Sequence, residues 1–146
     1  MRLALPLLLL LTACSPAARL KMRDHRDTGT LGAAANAYWL ALRWNDVGGA
    51  AGFLETSEEK LRLGRLLTDP QVRVTDVSVV QVVLGEELPE ARLPETREGT
   101  AMVRIEGYDI RRGRVEVVTL EQHWVRGAHT WLVDAERSPI GEERAW

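Results

Sequence analysis

Side chains able to carry acid–base or metal chemistry are few in this 146-residue chain, and their spacing indicates no familiar site. His25, His123 and His129 lack the spacing of metal ligands, and Glu121 with His123 would supply only two ligands of the three or four that a zinc site needs. We therefore expect no bound metal and no cofactor. The sequence also contains no phosphate-binding glycine loop, P-loop or nucleophile elbow, so it does not predict the chemistries that depend on them.

The single cysteine, Cys14, follows a short apolar leader. After Met1 and Arg2, residues 3–11 contain only Leu, Ala and Pro, about half the ~20 residues that a membrane-crossing helix requires. Leu11-Thr12-Ala13-Cys14 resembles the lipobox of bacterial lipoproteins. That resemblance implies cleavage of a signal peptide after residue 13 and acylation of Cys14, whose thiolate is the nucleophile that takes the lipid. An ordinary secretory signal with a chance cysteine is the alternative.

The resemblance to lipoproteins also implies a location in the cell. Acyl chains on Cys14 would anchor the protein in a membrane lipid layer, since each buried methylene contributes about 0.8 kcal/mol. We expect a location in the bacterial cell envelope, at the outer membrane facing the periplasm, because Ser15 rather than an acidic residue follows the cysteine. A net charge of −2 excludes a globally basic nucleic-acid binder, so no nucleic-acid partner is expected.

The chain that follows the leader is long enough for one domain. Residues 14–27, with four basic and two acidic side chains and no sustained periodicity, predict a lipidated cysteine and a polar tether. Such a tether would either contact anionic lipid head groups or be a solvated linker. Residues 28–138 are predicted to form the domain, and residues 139–146 a tail.

The first half of this domain has helical periodicity. Residues 31–45 place apolar side chains on two adjacent stripes, which predicts a helix covered on more than one side. Gly48-Gly49 is expected to interrupt the pattern. Thr56 with Glu59 three residues later predicts a capping box that opens another helix, ending at Asp69-Pro70.

After Pro70 the pattern becomes that of strands. Residues 72–84 are rich in valine on both parities, so this strand is either buried on both faces or bulged near Thr75 and Asp76. A loop at 85–99 and strands at 100–110, 114–125 and 129–136 are predicted next. Helices followed by an antiparallel sheet of about four strands predict an α+β fold with the N-terminal helices packed on the sheet.

Two-residue turns at Arg112-Gly113 and Arg126-Gly127 set the register of the last three strands, with a three-residue bulged turn as the alternative. This register places Ile105 opposite Leu120, Leu120 opposite Val133 and Arg104 opposite Glu121. Both turns separate a mostly apolar face, which should cover the helices, from a face carrying the ionisable groups.

The two faces determine which side chains are candidates for a site. Glu121, His123 and Asp134 fall on the outward face, away from any interior acid–base role. The inward face carries Gln122 as its only central polar group, with His129 at the rim. Gln122 would either hold a ligand or be satisfied within the core by a backbone group or water. The candidate pocket residues are Tyr38, Trp44, Gln122 and Trp131, although aromatic residues at helical spacing are also typical of plain core.

Two stretches resemble the nuclear-transport-factor-2-like (SnoaL-like) superfamily. Residues 35–42, followed by Asn45-Asp46, are similar to its first helix and turn, and residues 123–133 are similar to its closing hairpin. The resemblance implies a curved sheet around a long first helix, forming a cone with a pocket at its open end. A cystatin-like arrangement of a helix on a sheet is the alternative.

Together these features predict a lipid-anchored envelope protein with a non-catalytic domain that binds a small ligand or a protein. A homodimer or an envelope partner would use an outward apolar patch of Met102, Tyr108, Val117 and Leu132. The alternatives are a small SnoaL-like isomerase or hydrolase, and an accessory subunit of an envelope assembly that makes contact through the acidic loop at Glu86–Glu98.

Overall fold

The computed structural model describes residues 16–68, 72–85 and 97–138. Three helices come first: α1 (Pro16–Arg43), α2 (Val47–Ala51) and α3 (Ser57–Thr68). Four strands follow: β1 (Val72–Leu84), β2 (Glu98–Asp109), β3 (Arg114–Arg126) and β4 (Trp131–Val133). They form one antiparallel sheet in the order β1-β2-β3-β4, with α1 packed against it, which confirms the α+β class.

Several predictions concern residues outside the described ranges. These are the signal peptide at 1–13, Cys14, the helix stop at Asp69-Pro70, most of the acidic loop (86–96) and the tail at 139–146. Among the described residues, none of the helices combines the length and the apolar character needed to cross a membrane.

Helix α1 begins at Pro16, inside the stretch predicted to be a tether, so residues 16–27 are helical although their sequence has no sustained periodicity. Proline suits the first helical position because its φ is already helical and its missing N–H would be unpaired there. Two acidic side chains of this stretch, Asp24 and Asp27, are held by Arg97 at the start of β2. Local periodicity does not reveal this order because it depends on a contact between residues 70 positions apart.

The end of α1 comes earlier than the glycine pair suggests. The helix stops at Arg43, and Asn45 takes a left-handed φ of 57°, a conformation that asparagine tolerates. Asp46 then caps α2 by accepting a hydrogen bond of 2.9 Å from the Gly49 N–H. The glycines therefore lie inside α2, and a Cβ at Gly49 would collide with the Asp46 carboxylate.

The predicted capping box at the start of α3 is confirmed. The Glu59 N–H donates to Thr56 Oγ1 at 3.2 Å, and the Glu59 carboxylate accepts from the Thr56 N–H at 3.0 Å. This reciprocal pair satisfies two backbone donors that the first helical turn leaves without intrahelical partners.

Strand β1 contains two bulges. Its register with β2 shifts between Val74 and Asp76, where a bulge was predicted, and again between Val79 and Gln81. Each bulge inserts one residue and reverses the alternation, so inward positions fall on even numbers, then odd, then even again. The two bulges explain why valine occupies both parities in a strand with only one face toward the helices. The inward side chains are Val74, Val77, Val79, Val82 and Leu84.

The turn between β2 and β3 contains four residues, 110–113, so the predicted two-residue turn is wrong. The Asp109 carboxylate accepts from the Arg112 N–H at 2.9 Å, and Gly113 closes the turn with a φ of 64°. Glycine takes this left-handed conformation without the strain that arginine would suffer in a two-residue turn.

The turn between β3 and β4 is also longer than predicted. Gly127 donates its N–H to the Thr130 carbonyl at 2.8 Å, so residues 127–130 leave the sheet and β4 begins at Trp131. His129 is exposed in this turn rather than at the rim of the inward face. The strand ends after Val133 because the Asp134 carboxylate accepts the N–H groups of Glu136 and Arg137 and turns the chain away.

The predicted cross-strand partners are wrong, although the predicted faces are confirmed. The observed pairs are Ile105 with Val118, Arg104 with Thr119, and Val133 with Trp124. The partner of Ile105 moves from Leu120 to Val118 and that of Val133 from Leu120 to Trp124. Because both shifts are even numbers of residues, each side chain that is paired in the sheet stays on its predicted face.

The core lies between α1 and the inward face of the sheet. Its fully or almost fully buried side chains include Leu31, Ala35, Tyr38, Val103, Ile105 and Trp124. The short helices α2 and α3 add Ala50 and Leu63.

Candidate functional site: a filled interior and an accessible sheet edge

Of the predicted pocket residues, Tyr38 and Gln122 lie deepest. The side chain of Tyr38 is buried on α1, and Gln122 is the buried polar side chain of β3. The Gln122 Oε1 accepts a hydrogen bond of 3.0 Å from the indole Nε1 of Trp39. The amide oxygen is therefore satisfied by a core side chain, rather than by the ligand, backbone group or water that the sequence suggested.

Aromatic rings fill the interior around Tyr38. Its ring meets Trp39, Trp124 and Phe53 edge-on, at centroid distances of 5.7, 5.9 and 6.1 Å. Phe53 and Trp124 also meet edge-on at 6.1 Å. This arrangement matches the ring quadrupoles and adds about 0.5–1.5 kcal/mol per pair beyond burial. These rings occupy the space in which a superfamily-type pocket was expected.

The chemistry of this interior is limited. Burial raises the pKa of the Tyr38 hydroxyl above its ordinary value near 10, so the residue stays neutral at physiological pH and does not act as a base. The indole N–H of Trp124 is buried and has no hydrogen-bond partner among the described residues. Such a donor carries a desolvation cost of about 1–3 kcal/mol, offset here by the ring packing.

Trp44 does not line the interior. It follows the last residue of α1, its side chain is 74% exposed, and the Arg43 guanidinium lies 5.6 Å from its ring centroid. The sequence placed Trp44 on an apolar helical stripe. That placement fails because the helix ends one residue earlier.

Trp131 is buried, but its polar contacts lie elsewhere on α1. Its indole Nε1 donates to Thr30 Oγ1 at 3.1 Å, and the Arg126 guanidinium lies 5.5 Å from its ring centroid. Thr30 precedes Tyr38 by two helical turns, or roughly 12 Å along the axis. The four candidate residues therefore do not converge on one pocket.

Glu121 and His123 of β3 lie on the outward face, as predicted. His123 lies between two neighbours, with Nδ1 3.4 Å from Thr100 Oγ1 and Nε2 3.7 Å from the Glu121 carboxylate. Both distances exceed those of a nucleophile–base pair. Within the described ranges, no three His, Cys, Asp or Glu side chains are grouped closely enough to hold a metal ion.

The outward face carries apolar side chains at one end. Tyr108 and its cross-strand partner Val115 are 40% and 56% exposed, and Val117 is 51% exposed. Met102 and Leu132, which were predicted to join them, are only half-exposed and lie further along the sheet. We call Tyr108, Val115 and Val117 the β3 patch. Val115 was not predicted to join the patch; the predicted register paired it with Ile110 instead of Tyr108.

The β3 patch adjoins an open edge. β4 pairs only with residues 124–126, so residues 114–122 have no strand beside them on the side away from β2 among the described residues. The backbone of His123 bonds on that side, since its carbonyl accepts from Asp134 and its N–H donates to Ser138. Alternation along the strand therefore directs the N–H and C=O groups of Val115 and Val117 to the open side.

A buried ion-pair cluster at the start of β2 was not predicted. Arg97 Nη1 and Nη2 donate to Asp27 and Asp24, each at 2.6 Å, and the side chains of Arg97 and Asp27 are 6% and 7% exposed. Burial by itself lowers the pKa of Arg97, but the hydrogen bond to Asp24 and the charges of both carboxylates raise it overall, so the side chain stays charged. No signal in the sequence joins these residues. We call them the Arg97 clamp.

Compared with known proteins, the sequence matches no protein-family model and has no significant match among curated proteins.

Proposed function

We propose that this protein is a lipid-anchored component of the bacterial cell envelope whose nuclear-transport-factor-2-like domain binds another protein and performs no catalysis. The anchor is supported by the leader and by Leu11-Thr12-Ala13-Cys14, with Cys14 as the acylated residue. The outer membrane, facing the periplasm, is the proposed location. The fold-family assignment is supported by the order of a long first helix and an antiparallel sheet.

One observation carries the binding role: the interior is filled while an apolar sheet edge is left accessible. Aromatic rings occupy the space beneath the sheet, and Glu121 and His123 of β3 face away from it. On the other face, the β3 patch lies beside backbone groups with no neighbouring strand. An exposed β-branched edge is where a further strand adds, because the partner's backbone satisfies those groups while its side chains cover the valines.

The alternatives have less support among the described residues. An isomerase or hydrolase needs an acid or base within reach of an enclosed substrate. Glu121 and His123 face away from the interior, and the Asp134 carboxylate is held by the N–H groups of Glu136 and Arg137. An accessory subunit that makes contact through the acidic loop would use residues 86–96, which lie outside the described ranges.

Two measurements test the proposal. Metabolic labelling with palmitate should label the protein, and Cys14→Ala should abolish the label; an unlabelled wild-type chain would refute the anchor. For binding, cross-linking in intact cells should give an adduct of fixed mass that Val117→Lys removes. Val80→Lys is the matched control, because Val80 is 56% exposed on the opposite edge strand. Equal adducts from both variants would refute the assignment to β3.

A further inference from the structure

We infer that the first part of α1, Pro16–Asp27, is a rigid arm that lies against the anionic head groups of a bilayer and thereby sets the orientation of the domain. This inference rests on the proposed anchor at Cys14. Of the two roles predicted for the tether, contact with anionic head groups or a solvated linker, it takes the first and assigns it to a helical surface.

The rigidity of the arm comes from the Arg97 clamp. Arg97 binds Asp24 and Asp27 through separate guanidinium nitrogens, so the arm is held at two points one helical turn apart. Charge-assisted hydrogen bonds of this kind are about twice as strong as neutral ones, and removal of one partner would leave a buried charge. The arm is therefore part of the folded domain.

The same clamp leaves the arm with a net positive surface. Residues 19–27 contain four basic and two acidic side chains, and Arg97 adds one positive charge beside the two carboxylates, so the arm and Arg97 together carry a formal charge of +3. Arg23 and Arg26 each also lie 3.9 Å from the Asp27 carboxylate. The exposed cations include Arg19, Lys21 and Arg26, the last with 72% of its side chain exposed. An anionic surface would therefore meet more positive than negative charge on the arm.

Three of the four cations, all of them arginines, share one flank of the helix, whereas Lys21 lies on the other side. Arg19, Arg23 and Arg26 are spaced i, i+4 and i+7, which places them along one flank of the helix. Met22 lies on the same flank and is 75% exposed. An anionic leaflet attracts such a basic flank by about 1 kcal/mol for each Lys or Arg near its surface, and Met22 beside the arginines meets the head groups when the arm docks.

The position of the anchor favours an arm that lies flat. Pro16 is two residues from Cys14, so at most about 7 Å of extended chain separates the acylated residue from the helix. An upright helix would raise Arg26 roughly 15 Å above Pro16, beyond the Debye length of about 8 Å at physiological salt. Only an arm lying along the surface keeps all three arginines within electrostatic reach of the lipids.

The test uses the full-length lipidated protein in vesicles of phosphatidylcholine, with or without phosphatidylglycerol. Because Cys14 is the only native cysteine, a Met22→Cys substitution gives a single site for a fluorescent label. We expect quenching by nitroxide-labelled head groups only in the anionic vesicles, and its loss at high salt. Replacing Arg19, Arg23 and Arg26 by Gln should shift the docking equilibrium about fivefold per side chain, or about 100-fold together.

Two control variants separate charge from folding. Lysine at the same three positions keeps the charges and should retain docking. Glutamine at Arg111, Arg112 and Arg114 removes three charges from the β2–β3 turn and should leave the quenching unchanged.

The outcomes distinguish the arm from the anchor. Quenching that is equal in neutral and anionic vesicles, on a chain that carries palmitate, would overturn the arm and leave the proposed function intact. If the chain carries no lipid, the anchor fails, and cosedimentation with the same vesicles tests the arm directly. In that case, binding that is insensitive to salt or to the three glutamines would overturn it.

Discussion

Replacement of the buried Arg97 by alanine should strongly destabilise this domain. The substitution removes two hydrogen bonds of 2.6 Å and leaves Asp27, with a side chain 7% exposed, in a site built for its partner. Removing one member of a buried ion pair costs about 3–5 kcal/mol. For a chain of this size that lowers the thermal midpoint by roughly 10–15 °C.

The two carboxylates of the clamp should respond differently. Asp24→Asn should cost about 0–1 kcal/mol, because 55% of the Asp24 side chain is exposed and water screens its interaction with Arg97. Arg97→Lys, which keeps the charge but loses the planar fork, should give an intermediate loss. The double variant Arg97→Met with Asp27→Leu should recover most of the stability, since an apolar pair can replace a buried ion pair.

Urea denaturation and amide hydrogen exchange of the full chain in a neutral detergent provide the assay. If the clamp couples the arm to the core, Arg97→Ala lowers the midpoint and raises amide exchange throughout residues 19–30. An unchanged midpoint together with unchanged exchange in those residues would refute both the energetic reasoning and the rigidity of the arm.

Two further predictions concern aromatic residues. Trp131→Ala should cost about 3–5 kcal/mol because the side chain is 1% exposed, whereas Trp44→Ala should change stability by less than about 0.5 kcal/mol; equal losses in urea denaturation would show that the burial assigned to these residues is wrong. Because folding raises the pKa of Tyr38, its contribution to stability is present below pH 10 and is lost as the pH rises through the folded value. Tyr38→Phe should therefore flatten the alkaline fall in stability, and an identical fall in the variant would contradict the burial of the hydroxyl.

The two faces of the sheet could be predicted from the sequence although the cross-strand pairs could not. The face on which a side chain lies depends only on whether its position in the strand is odd or even. The longer turns at 110–113 and 127–130 shift the cross-strand pairs by even numbers of residues and so leave the faces unchanged. Turn length depends on how Asp109 and Gly127 bond within their turns, which a Gly-containing dipeptide does not reveal. For this reason Glu121 faces outward as predicted while Arg104 has a different partner.

The candidate site was harder to predict because it depends on where the helices and strands end and on contacts between residues that lie far apart in the sequence. Trp44 shares the apolar periodicity of α1, but the helix ends one residue before it and leaves it exposed. Trp39 was not predicted to bond Gln122, since the two residues lie 83 positions apart. The Arg97 clamp was missed for the same reason, because the sequence of the arm does not indicate that its carboxylates bind a residue at the start of β2.

Helix α1 runs for 28 residues without a break, about 42 Å at 1.5 Å per residue, and carries Asp27 near its middle and the ring of Tyr38 near its C-terminal end. It contains no proline after Pro16 and continues without a bulge through Gly29 and Gly32. Because the helix is continuous, a rotation of its first turns also rotates the sheet that packs against its later turns. The orientation of α1 therefore sets the direction in which the free edge of β3 points.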